Sequence, residues 1–150
     1  MKVYRLKGGT AVAAALPEVV ETVYDPQLGY GVLMSYLTNA DGSPVISAVY
    51  EMANRRDSAF SRACYGQIKR LLEDLVACSA PFFEPDNFQA QVMPDGGVRI
   101  RMIDFEPCDK KLIPLGEFVP LARRIHLRHK ARRSLKKMAA YVGISEERRS

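Results

Sequence analysis

The sequence predicts an α+β fold. Three observations carry that prediction: a pair of β-forming runs around a turn at residues 19–37, a second pair at residues 88–103, and a strongly amphipathic helix between them. With 150 residues the chain fits a single domain, 1–150, around one core.

Taken in order, the first 17 residues carry the weakest signal. Val3 and Leu6 have strand character, Gly8-Gly9 breaks it, and the alanine-rich run Ala11 to Leu16 stops at Pro17. Gly8-Gly9-Thr10 lacks the full phosphate-loop pattern and reads as a turn. Val19, Val20, Thr22, Val23 and Tyr24 predict a strand; Asp25-Pro26-Gln27-Leu28-Gly29 turns the chain; Tyr30 to Leu37 returns antiparallel. After a turn at Asn39-Ala40-Asp41-Gly42, Ser43-Pro44 has the chemistry of a helix start, a capping hydroxyl followed by Pro at the first helical position. A helix is therefore expected to about Asn54. Ile68, Leu71, Leu72, Leu75 and Val76 recur at helical spacing opposite Lys69, Arg70, Glu73 and Asp74, which predicts a core helix from about Ser58 to Cys78. Phe88 to Met93 and Val98 to Ile103 form a hairpin around Pro94-Asp95-Gly96-Gly97, with Val98, Ile100 and Met102 facing the core and Arg99 and Arg101 facing water. A last helix is expected over about 117–141, Glu117 to Tyr141, with a thin apolar stripe of Leu121, Ile125, Leu135 and Met138.

No apolar run approaches the roughly 20 residues of a membrane span, and the start of the chain lacks the apolar core of a secretory signal. Both point to the cytoplasm. Cys64, Cys78 and Cys108 are an odd number without CxxC spacing and are expected reduced. The net charge of +5 is unevenly placed: residues 1–120 hold 12 Lys and Arg against 15 Asp and Glu, whereas residues 121–150 hold 10 against 2. The basic character belongs to the C-terminal segment.

The stretch from Phe82 to Pro107 holds the residues that suggest chemistry. It sets Asn87 at the head of one strand and Asp104 just past the end of the next. The order of elements, with Pro85-Asp86-Asn87 before the second hairpin and Asp104-Phe105-Glu106 after it, resembles the C-terminal lobe of the protein-kinase fold, preceded by a short N-terminal antiparallel hairpin and a truncated N-terminal lobe. Three pieces are similar to the YrbL family, bacterial proteins of the PhoP regulatory network. They are Val20-Glu21-Thr22-Val23 with Gly29-Tyr30, then Glu84-Pro85-Asp86-Asn87-Phe88, then Leu112-Ile113-Pro114-Leu115 before an Arg- and Lys-rich helix. The resemblance spans about residues 17 to 140 and implies a kinase-like fold in a regulatory setting, without naming a reaction.

In kinases an Asn of the catalytic loop and the Asp of the Asp-Phe-Gly motif hold Mg²⁺. The resemblance therefore makes Asn87 and Asp104 the candidate sites for Mg and ATP, beside the plainer reading that both serve the loop structurally. Its departures are as informative. Phe82 occupies the position of the catalytic Asp and cannot accept a proton, Ala80 and Pro81 replace the preceding His and Arg, and Glu106 stands where the motif has Gly. Lys2 and Lys7 lack the context of a phosphate-binding lysine. The expected protein is a pseudokinase-like regulator with no catalytic residue. The alternative is a phosphotransferase with an unusual or composite active site.

His126 and His129 have a spacing that can share a metal, but Arg128, Lys130, Arg132 and Arg133 surround them and oppose a cation. The basic helix itself, with Arg123, Arg124, Arg128, Lys130, Arg132, Arg133, Lys136 and Lys137, is a candidate nucleic-acid surface or a solvated helix balancing an acidic lobe. The truncated upper lobe would leave Val32, Met34, Phe83 and Phe105 uncovered, so a protein partner or a symmetric homodimer is expected there.

Overall fold

The computed structural model describes residues 10–27, 29–55, 57–78, 85–103 and 120–142. The mixed α+β class holds, with two small antiparallel sheets and helices packed around the second. A six-residue helix α1 (Thr10–Ala15) precedes strands β1 (Val19–Asp25) and β2 (Gly29–Met34); β3 (Ile46–Ser47), α2 (Ala48–Arg55) and α3 (Ser58–Ala77) follow. A 3₁₀ turn (Pro85–Asn87) leads into β4 (Phe88–Val92) and β5 (Val98–Met102), and α4 (Pro120–Val142) closes the described chain.

Helix α3 is the spine, as its periodicity predicts. Asp57 caps it, its carboxylate accepting from the backbone N–H of Ala59 at 2.8 Å and of Phe60 at 3.1 Å. Ile68, Leu71, Leu72, Leu75 and Val76 are all buried. They meet Val12 and Ala15 of α1, Met52 of α2, Phe88 and Ala90 of β4, Ile100 and Met102 of β5, and Leu127, Ala131, Leu135 and Met138 of α4 in one core. Burying each large side chain contributes about 1.5–3 kcal/mol before chain entropy is subtracted.

The expected helix start at Ser43-Pro44 is wrong. The Ser43 hydroxyl donates to the Asp41 carboxylate at 2.6 Å within the turn, and the Asn39 amide donates to Ser43 Oγ and to the Pro44 carbonyl, both at 3.0 Å. Pro44 pairs across an isolated bridge with Thr38, and Ile46–Ser47 continue extended to form the edge of a sheet ordered β3-β4-β5. The capping chemistry is spent on the turn, so the helix begins at Ala48.

The β4–β5 hairpin forms where predicted but closes one residue tighter than a turn over Pro94 to Gly97: Phe88 lies opposite Met102 and Val92 opposite Val98, the Met93 N–H donates to the Gly97 carbonyl at 2.9 Å, and Gly96 takes φ +77° in the turn. The Gln67 amide of α3 ties it to the spine: Nε2 donates to the Val98 carbonyl at 2.7 Å and Oε1 accepts from the Ile100 N–H at 3.1 Å. The predicted wet side of β5 is only partly wet. Arg101 is half-buried and donates to the Ala14 carbonyl at the end of α1 (2.6 Å) and to Gln91 Oε1 (2.9 Å). Burial, with Arg99 nearby, lowers its pKa.

Candidate functional site

Three places in the fold hold the predicted functional residues. The first is the open end of the β4–β5 hairpin. Asn87 ends the 3₁₀ turn, its carbonyl accepting from the Ile103 N–H at 3.2 Å. The backbone ladder thus brings residue 87 opposite residue 103, the neighbour of Asp104. Asp104 itself, Phe82 and the segment Leu112 to Leu115 lie outside the described residues, as do Phe83, Phe105 and Cys108. Asn87 is half-buried, and among the described residues its side chain has no hydrogen-bond partner. Pro85 beside it is buried, and the turn packs against α2 and α4. Among the described residues no group of three His, Cys, Asp or Glu side chains could hold a metal ion.

The second is α4. Its stripe is the expected one only in part: Leu135 and Met138 are buried as predicted, Ile125 is 48% exposed, Leu121 has its side chain outside the description, and Leu127, Ala131, Ser134 and Ala139 complete the buried positions among the described residues. Small residues complete this stripe and let α4 lie close on α3 and α2. Pattern reading weighted by large apolar residues misses Ala131 and Ser134; helical spacing from Leu135 and Met138 could have found them. The outer surface carries Arg124, Arg128, Arg132, Arg133, Lys136 and Lys137 exposed and Lys130 half-buried, while Arg123 lies on α4 with its side chain outside the description. His126 and His129 are exposed on that outer surface. No acidic residue occurs anywhere in α4. Among the described residues, Arg124, Arg128, Arg132, Arg133 and Lys136 have no acidic partner.

The third is the β1–β2 hairpin, which packs chiefly on itself. Register places Val19 opposite Met34, Thr22 opposite Val32 and Tyr24 opposite Tyr30, with an irregularity after Val19. Opposed residues share a face and alternate residues return to it, so Val19, Thr22, Tyr24, Tyr30, Val32 and Met34 line one side. The Tyr24 and Tyr30 rings lie 4.9 Å apart on that side. Glu21 and Asp25 belong to the other side, where a Val23 methyl covers Gly31. The uncharged face is open: Tyr30 is 79% exposed, Tyr24 62%, Val32 48% and Met34 46%. A cleft of about 400 Å³ lies where α1 meets the root of this hairpin, and the Arg101 in its wall is already engaged by Ala14 and Gln91.

Among the described residues no helix is long and apolar enough to cross a membrane. No family model matches the sequence, and no solved structure matches it. The chain is similar to the DNA mismatch repair protein MutL of two strains of Halobacterium salinarum, 35% identical over 98 residues in each case. That match covers 61% of this chain but only 15% of each MutL.

Proposed function

We propose that this chain is a non-catalytic regulatory protein of kinase-like architecture that acts by binding protein, and that its own second copy docks on the uncharged face of the β1–β2 hairpin. One observation carries the reading: Val19, Tyr24, Tyr30, Val32 and Met34 form a continuous exposed apolar surface. A two-stranded hairpin is marginal by itself in water, and each of these side chains gains about 1.5–3 kcal/mol on full burial. The occupant follows from charge. The face has no Lys, Arg, Asp or Glu, so twofold stacking sets no like charges against each other. The kinase-like part of the reading is supported by the order hairpin, helices, Pro85–Asn87 turn, hairpin. The non-catalytic part is supported by Phe82 at the position of a base.

Molar mass measured across a concentration series tests the dimer. The wild type should grow toward twice its chain mass, and Tyr30→Lys with Val32→Glu should stay monomeric with an unchanged helical spectrum. A wild type that is monomeric throughout, or a variant that dimerises equally, refutes the assignment. MgATP turnover, or a MgATP thermal shift lost in Asn87→Ala and Asp104→Ala, would replace the non-catalytic reading with the composite phosphotransferase.

The name of the MutL proteins concerns DNA mismatch repair. With the acid-free surface of α4, it favours a second reading in which the chain works beside DNA.

A further inference from the structure

We infer that the exposed face of α4 binds the phosphate backbone of double-stranded DNA without reading its sequence. This deepens the second reading above and uses a surface separate from the hairpin. The charge is the first argument. A helix exposed only for structural reasons gains from alternating signs at i and i+4. Here Arg124 and Arg128, Arg128 and Arg132, and Arg132 and Lys136 set like charges at that spacing, with no Asp or Glu in the helix and no acidic partner among the described residues to relieve them. At 100° per residue, Arg132, Lys136 and Arg133 spread over an arc of about 100° on the side away from the buried stripe. That arrangement is unfavourable in the free protein and becomes favourable against a polyanion.

Shape selects among polyanions. The apolar stripe of α4 is already used against α3 and α2, so among the described residues only Ile125 is left as a large apolar side chain to offer a lipid surface. For stacking, the described outer surface offers the imidazoles of His126 and His129 among a larger number of cations, which favours phosphates over single-stranded bases. The major groove of duplex RNA is too narrow for side chains to read, whereas that of B-DNA admits a helix. At 1.5 Å per residue, α4 is about 34 Å long, close to one turn of duplex. The buried stripe holds it rigidly, so its cations meet phosphates without a cost of ordering the backbone.

The test is fluorescence anisotropy of the full chain with duplexes of about 24 base pairs and unrelated sequences, between 50 and 200 mM NaCl (roughly the range over which phosphate contacts are lost). Four to five neutralised phosphates predict a slope of log K against log salt of roughly −4, at about −0.9 per phosphate. Arg132→Gln with Lys136→Gln should reduce that slope by about 2 and weaken all duplexes alike. Lys69→Gln on the exposed side of α3 should leave it unchanged. Circular dichroism separates lost binding from lost folding. Absent binding at the lowest salt, a slope unchanged in the double variant, or binding to phosphatidylserine vesicles without binding to DNA overturns the inference.

Discussion

Replacing Gln67 with Met tests the joint between α3 and the β4–β5 hairpin. Strand β5 is an edge of its sheet, so the carbonyl of Val98 and the N–H of Ile100 have no strand to pair with on that side. The Gln67 amide acts as the missing strand, with bonds of 2.7 and 3.1 Å. Methionine keeps the length and flexibility of the side chain and removes both bonds. Each is worth about 0.5–1.5 kcal/mol net, and part-buried backbone groups left unpaired add to the loss. Water reaches part of this edge, so the expected total is about 2–3 kcal/mol. At about 2–4 °C per kcal/mol for a chain of this size, the midpoint should fall by roughly 5–10 °C. Chemical denaturation supplies the free energy and hydrogen exchange locates it, with Ile100 losing protection first. Gln67→Glu adds a sign test. Its carboxylate still accepts from Ile100 but faces the Val98 carbonyl, which raises its folded pKa. The penalty should be small below the unfolded glutamate value of about 4.3 and grow as pH rises through the raised folded value. A Gln67→Met protein within about 0.5 kcal/mol of wild type would refute the reasoning, because core contacts and water alone would then hold the joint.

Three further outcomes follow from the same structure. Asp57→Ala should cost about 1 kcal/mol by denaturant titration, since it frees two N–H groups at the start of the spine. The Ser43 hydroxyl, then its backbone N–H, hold the Asp41 carboxyl below the usual carboxylate range. Ser43→Ala should raise that titration point by NMR, and in the wild type this turn should lose stability only as pH falls through the lowered value. Burial pushes the Cys64 thiol up to about 12, so peptide mapping after native alkylation should find Cys64 protected and half-buried Cys78 modified before it.

Much of this fold was legible along the chain. Ile68 to Val76 repeat at the period of a helix, and α3 buries all five named residues. The alternation of Val98, Ile100 and Met102 and the Gly96 turn locate β5 equally directly. The candidate site was less legible. Asn87 could be placed at the head of β4 because Pro85 and Phe88 frame it locally, but its position across from Ile103 depends on hairpin register. The side-chain environment of α4 was missed where Ala131 and Ser134 substitute for large apolar residues at a close helix contact.

What the sequence by itself determined is the set of elements whose signals are local: the period of α3, the two hairpins and the one-signed charge of α4. The tertiary structure decided what each element meets. Ile46–Ser47 is a strand because distant Gln89 and Ala90 offer backbone partners, and Ser43 fails as a helix cap because Asp41 and Asn39 engage it first. Arg101 leaves the wet face because the end of α1 presents the Ala14 carbonyl. At Ile46–Ser47 and at Arg101 a partner far along the chain selects between local conformations that differ by only a kcal/mol or so, whereas at Ser43 the selection is made within the turn by Asp41 and Asn39.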